Sequence, residues 1–223
     1  MHDDRVPATP SLPSLLPLVV VHADEALVAI DKPTDLLSVP GRGADKADCA
    51  VTRVRAQFPD AQTVHRLDMG TSGLLLFARG AAMQRALSVM FEAREVIKHY
   101  EAVVDGLVEQ DDGDIDLPLL ADWPQRPRQK VDRLQGKPSL TRYRVLQRDT
   151  VKRTTRLGLQ PLTGRTHQLR VHLLAIGHPI VGDALYATGE VPNAARLMLH
   201  ATRLELRHPV TSQTLTLSSE PPF

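Results

Sequence analysis

With a single cysteine, Cys49, in 223 residues, the chain can form no internal disulfide and no cysteine-rich zinc site. That suits a reducing compartment, with Cys49 as a small buried hydrophobe. Aromatic residues make up only 4% of the sequence, so the core must be built from Leu, Val and Ile. No apolar run approaches the length needed to span a bilayer. The segment Met1 to Pro17 carries Asp3 and Asp4 where a secretory signal would be basic, and prolines interrupt its apolar stretch. No G-x-G-x-x-G or P-loop pattern occurs, which leaves nucleotide-phosphate chemistry without support. These absences predict a soluble cytoplasmic protein with a disordered, Pro-rich leader over residues 1–18 and one domain over residues 19–223.

What is present is 42% hydrophobic residues, enough for a substantial core, and 17 prolines that punctuate the connections. A formal charge of +1 hides a polarity along the chain. Glu101 to Leu120 holds seven acidic residues and no Lys or Arg; Ala121 to Arg170 holds thirteen Lys or Arg against three acids. The basic run fits phosphate contacts, and it equally fits a solvated sheet surface.

Hydrophobic patterning places a short hairpin at Val19 to Ile30, with its turn at His22 to Glu25. Asp48 is in position to cap a helix burying Val51, Val54 and Phe58, stopped by Pro59. A buried strand at Leu74 to Ala78 precedes a helix whose Met83, Leu87, Met90 and Phe91 share a face. Further strands are predicted at Ile97 to Val104, Thr141 to Leu146, Arg156 to Leu162, Leu197 to Leu206 and Thr214 to Leu217. A helix is predicted over Thr166 to Ile176, capped by Gly177. Many strands with few helices predict an α+β fold with a mostly antiparallel mixed sheet, not a Rossmann array.

Two segments carry unusual chemistry. His65-Arg66-Leu67-Asp68-Met69-Gly70-Thr71-Ser72-Gly73 places charge, hydroxyls and glycines at a turn. There Asp68 either pins the turn through an Asx-type bond or presents its carboxylate to a substrate; on the residues alone the first reading is the simpler. Gly164-Arg165-Thr166-His167-Gln168-Leu169-Arg170-Val171-His172 crowds polar groups at a helix start. Arg165 sits where the helix dipole disfavours a cation, so an anion is expected nearby. His167 and His172 lack metal-pair spacing and read as packing or hydrogen-bonding histidines.

Together these segments resemble the RluA-type pseudouridine synthases. His65 to Asp68 with Gly70 to Leu74, then Gly164 to His172, Gly177 to Asp183, Lys98-x-Tyr100 and Leu199-His200-Ala201 reproduce the family's motifs in order. The resemblance implies a pseudouridine synthase fold around a central RNA-binding cleft. It also implies isomerisation of uridine to pseudouridine in stem-loop RNA by base flipping, with neither metal nor organic cofactor. Asp68 then matches the nucleophile, Tyr100 the active-site tyrosine that stacks on the target base and is a candidate for proton transfer, and Arg165 the arginine that pairs with the aspartate. Arg66, Leu67, Thr71 and Leu199 fall at substrate-contacting positions, with Arg66 filling the space of the flipped nucleotide. Arg42, Arg126, Arg128, Lys130, Gln168 and Arg170 are the expected RNA contacts.

The motifs begin near Val19, leaving no room before them for an S4-type RNA-binding domain. Leu36 to Arg42 and Asp116 to Val131 resemble the compact dual-specificity branch, which modifies large-subunit (23S) ribosomal RNA and tRNA anticodon loops. Asp122 to Lys130, stiffened by Pro124 and Pro127, is expected to form an RNA-gripping loop, with Trp123 either stacking on a base or, as the favoured reading, anchoring the loop in the core. The expected partner is structured RNA, and the chain is expected to act as a monomer. The rival readings are a family member with one different RNA target, a non-catalytic RNA-binding protein, and a glycoside hydrolase. The last lacks a second carboxylate in an equally marked motif.

Overall fold

The computed structural model describes residues 18–41, 43, 47–187 and 194–223. The expected leader and Arg42 lie outside the described residues, apart from Leu18 at the leader's end. The strands are β1 (Val19–Ala23), β2 (Leu27–Lys32), β3 (Ala61–Thr63), β4 (Ser72–Arg79), β5 (Ile97–Asp105) and β6 (Asp112–Asp116). They continue with β7 (Leu119–Ala121), β8 (Gln129–Val131), β9 (Leu140–Asp149), β10 (Thr154–Pro161), β11 (Leu199–Arg207) and β12 (Thr214–Ser218). Three α-helices complete the set: α1 (Ala50–Arg55), α2 (Gly80–Glu92) and α3 (Gln168–Ala175).

Ten strands form one sheet in the order β1-β2-β4-β11-β5-β10-β9-β6, with β12 on β11 and β3 on β4, while β7 and β8 pair separately. Every pairing is antiparallel except β4 with β11, so the expected mostly antiparallel α+β architecture is found. The parallel seam requires close backbone approach at Gly73: its φ is +102°, and a Cβ there would lie 2.3 Å from the Ala201 carbonyl oxygen.

The core divides into two clusters. One packs β2, β4, α1 and the buried face of α2; the other packs β5, β10 and α3. Tyr100 touches both, which puts it at their junction. The α2 face is as expected: Leu87 is buried, and Met83, Met90 and Phe91 pack against the first cluster.

Local expectations are corrected in three places. Cys49, not Asp48, is the N-cap of α1; Asp48 instead forms an ion pair with Arg53. The third helix begins at Gln168 rather than Thr166, because His167 adopts a left-handed conformation, φ 54°, that interrupts helical register. Trp123 is 63% exposed and does not anchor its loop in the core; the Arg126 guanidinium covers its ring instead.

Part of the charge polarity is resolved by strand pairing. The acidic β6 lies beside the basic β9, and Arg142 bonds Asp114, while Arg148 bonds Asp111 in the loop before β6. Arg142 and Arg148 on that edge are thus neutralised within the protein. Basic groups open to a polyanion include those around Trp123, at the β10–α3 turn and in the cleft beside β5.

Candidate active site

A cleft of about 1810 Å³ opens where the two core clusters meet, lined by Asp68, Tyr100, Arg165, His167, Arg170 and Leu199 among others. It is larger than the 300–1,000 Å³ or so of a small-molecule pocket and suits a piece of a polymer.

The loop before β4 is clamped from below. Lys32, fully buried, donates from Nζ to the carbonyls of Pro33, Leu36 and Met69 at 2.8, 2.8 and 3.0 Å. Burial pushes its pKa down to about 7, partly offset by the carboxylates of Asp35 and Asp68. Ser38 exchanges two hydrogen bonds with the backbone of Leu67, at 2.7 and 3.0 Å. The His65 ring stacks on Phe91 with centroids 4.5 Å apart, and its Nε2 accepts the Leu76 N–H at 2.9 Å. Burial first, then Lys98, depress the His65 pKa to about 3, so the ring is neutral.

The turn after Asp68 is closed by the main chain, with the Thr71 N–H donating to the Asp68 carbonyl at 3.1 Å. The Asp68 carboxylate is therefore not needed to pin it. It stands 26% exposed, 3.4 Å from Arg170 Nη1 and 3.9 Å from His167 Nε2. Arg170 in turn is gripped by Asp183, which is 1% exposed, through bonds of 2.6 and 2.7 Å. The ring of Tyr186 lies 5.0 Å from that guanidinium. The Tyr186 hydroxyl accepts the Gln129 N–H at 2.7 Å and lies 2.7 Å from His167 Nδ1. Donating its own proton to Nδ1 leaves His167 Nε2–H facing Asp68. Burial lowers the His167 pKa against the pull of Asp68, and burial raises that of Tyr100, with Asp68 adding to it.

The arginine beside Asp68 is thus Arg170, not Arg165. With α3 starting at Gln168, Arg165 falls in the preceding turn, where its Nε reaches the Pro138 carbonyl at 3.4 Å on the exposed rim. Arg170 lies within the helix and projects back across to the loop before β4. Gln168, expected on RNA, is buried and bonds Thr163, Leu140, Thr141 and the Arg165 N–H. Its work is to hold the turn. Leu67, Thr71 and Leu199 are buried in the cleft wall, whereas Arg66 is exposed at its mouth. Arg126 and Lys130 are exposed and Arg128 is half-buried, its guanidinium 5.3 Å from the Tyr186 ring centroid.

Asp183 and Tyr186 belong to this centre, and sequence reasoning misses both. Asp183 has a signal, since it closes the motif that starts at Gly177, but its distance in sequence from Asp68 hides their shared guanidinium. His172 bonds Thr141 and the Leu117 carbonyl, as a packing histidine should. Among the described residues no cluster of His, Cys, Asp or Glu forms a metal-ligand set, and no helix is long and apolar enough to cross a membrane.

An acid held by a guanidinium in a cleft of polymer size, on an open antiparallel sheet, defines an RNA-modifying isomerase when set beside proteins of known activity. Residues 26–175 match the RNA pseudouridylate synthase family, and the chain belongs to that family. It is 48% identical over 207 residues to the "Dual-specificity RNA pseudouridine synthase RluA" of Pasteurella multocida (strain Pm70), covering 92% of this chain and 94% of that protein. The protein of the same name from Escherichia coli (strain K12) is 44% identical with the same coverage. The solved structure of "Human RNA Pseudouridylate Synthase Domain Containing 1" superimposes with a TM-score of 0.77 at 30% identity, over 92% of this chain and 84% of that one. The fold is that of a pseudouridine synthase, and the chain is an enzyme that isomerises uridine in RNA.

Proposed function

We propose that this chain converts uridine to pseudouridine in stem-loops of both large-subunit ribosomal RNA and tRNA, with Asp68 as nucleophile and Arg170 as its electrostatic partner. The observation that carries the assignment of roles is the carboxylate of Asp68 held at 3.4 Å by Arg170 in the same cleft as Tyr100.

The reaction breaks the N1–C1′ bond and forms a C5–C1′ bond, with one proton lost from C5 and one gained at N1, so substrate and product are isomers. It requires a nucleophile or an assisting carboxylate, a confined base and management of the C5 proton. Arg170 sets a positive charge 3.4 Å from the Asp68 carboxylate and is itself fixed by Asp183, so little reorganisation is needed during reaction. Tyr100 offers a half-buried ring as a platform for the base. Its hydroxyl stays protonated at neutral pH, because burial and Asp68 both disfavour the phenolate. Arg66, exposed at the mouth, is placed to fill the gap left by an extruded nucleotide, and unpaired loop nucleotides are the least costly to extrude.

The two-substrate reading draws on the name shared by relatives that align over 92% of the chain. Deleting the gene and mapping pseudouridine in total RNA tests it: one lost site in large-subunit rRNA and at least one in a tRNA anticodon loop are expected. Loss in only one RNA class would replace it with a single-target enzyme. The proposal includes action as a monomer in the cytoplasm. The cleft is formed within one chain, and Cys49 is a buried free thiol suited to a reducing compartment.

A further inference from the structure

Lys98 lies two residues before Tyr100 on β5, so both side chains emerge from the same face of the strand, about 6.8 Å apart along it. Both line the cleft. The Lys98 ammonium stands 3.8 Å from where a Cβ on Gly164 would lie, directly beside Arg165, and close enough to His65 to depress that ring's pKa. Three segments therefore converge on it: the loop before β4, the β10–α3 turn and the end of α2, where Arg94 sits.

Glu92, at the end of α2, lines the same cleft but forms no ion pair with Lys98, and the other charged or titratable neighbours fail to compensate it. His65 is neutral and its Nε2 is already occupied by the Leu76 N–H. Arg94 is a second cation whose field, after burial, lowers the Lys98 pKa. Among the described residues, Lys98 Nζ has neither a hydrogen-bond acceptor nor an ion-pair partner. A half-buried ammonium without a partner is costly in a folded protein, and a neighbouring guanidinium adds to the cost. Lys98 Nζ is left open to the cleft, where an anion would compensate both cations.

We propose that Lys98 is the binding residue for a phosphodiester of the substrate RNA adjoining the uridine held at Tyr100, with Arg94 and Arg165 supplying the surrounding positive field. The inference rests on the RNA-isomerase reading of this cleft and adds to it a specific phosphate contact. One Lys–phosphate pair at this depth is expected to contribute about tenfold in affinity.

The test is a double-mutant cycle read as Kd. Stem-loop RNAs each carry one neutral methylphosphonate at successive positions around the target uridine, and each is bound to wild type and to Lys98→Met. At one position flanking the target, the neutral linkage should weaken wild type about tenfold and Lys98→Met less than twofold. All other positions should weaken both proteins equally, which also shows that the variant is folded. Lys98→Arg should restore sensitivity at that one position. If Lys98→Met does not fold, Lys98→Gln replaces it in the same cycle. Additive effects at every position, or a Lys98→Met variant that binds normally but loses turnover, would overturn the proposal. Because this readout is affinity, it is independent of the conversion assay on Asp68→Asn that tests the reading beneath it.

Discussion

Arg170 joins two carboxylates, binding Asp183 at 2.6 Å with one nitrogen while another lies 3.4 Å from Asp68. The inner acid fixes the guanidinium and the outer one faces the cleft, so the pair transmits the rigidity of the core to the proposed nucleophile. Removing Arg170 has two consequences. Arg170→Ala should lower kcat by about 100- to 1,000-fold, as for loss of a preorganised electrostatic partner. It should also destabilise the fold by about 3–5 kcal/mol by leaving Asp183 buried and unpaired. Arg165→Ala should leave kcat within a few-fold and weaken RNA binding. Single-turnover rates and urea unfolding separate the two variants.

Tyr186 connects this centre to the Trp123 loop, since its hydroxyl meets both the Gln129 N–H and His167 Nδ1. Tyr186→Phe keeps the ring under Arg170 but removes both bonds. The expected result is a fall in kcat of about tenfold with a stability loss of about 1–2 kcal/mol, the cost of leaving the Gln129 N–H unpaired. Parallel kinetics and denaturation measurements check it.

His65 predicts an acid-sensitive loop. Its folded pKa of about 3 lies below the ordinary 6.5. Between those values the unfolded chain binds a proton that the native chain does not, so stability is lost as pH falls from 6.5 toward 3. His65→Gln keeps an acceptor for Leu76 without the titration. Between pH 7 and pH 4 it should lose roughly 3 kcal/mol less stability than wild type, measured by chemical unfolding.

The exposed cations around Trp123 predict a salt signature. Neutralising Arg126, Arg128 and Lys130 together should flatten the dependence of log Kd on log salt by about 0.7–0.9 for each RNA phosphate that the loop neutralises. Trp123→Ala should leave stability within about 0.5 kcal/mol, as expected for an exposed side chain. An unchanged salt slope in RNA titrations would remove this loop from the RNA surface.

Much of the sheet is legible in the sequence because its strands alternate or run apolar. The α2 face is legible because Leu87 and its neighbours keep helical spacing. The site is legible as two polar segments, but not their joining. From sequence, Arg165 is the expected partner of Asp68 and Arg170 an RNA contact, whereas the helix, delayed by the left-handed turn at His167, brings Arg170 to Asp68. A non-glycine residue at positive φ leaves only a weak sequence signal, the enrichment of His, Asn and Asp there. Trp123 misleads for a different reason: a lone tryptophan usually buries its ring, and here a guanidinium covers it on the surface. The charge polarity is visible, whereas the pairing of β6 with β9 that neutralises part of it depends on strand order.

The most direct measurement is conversion of uridine to pseudouridine in a stem-loop RNA by Asp68→Asn, beside its affinity for the same RNA. The account predicts binding within a few-fold of wild type and no detectable conversion. Conversion at the wild-type rate would contradict it.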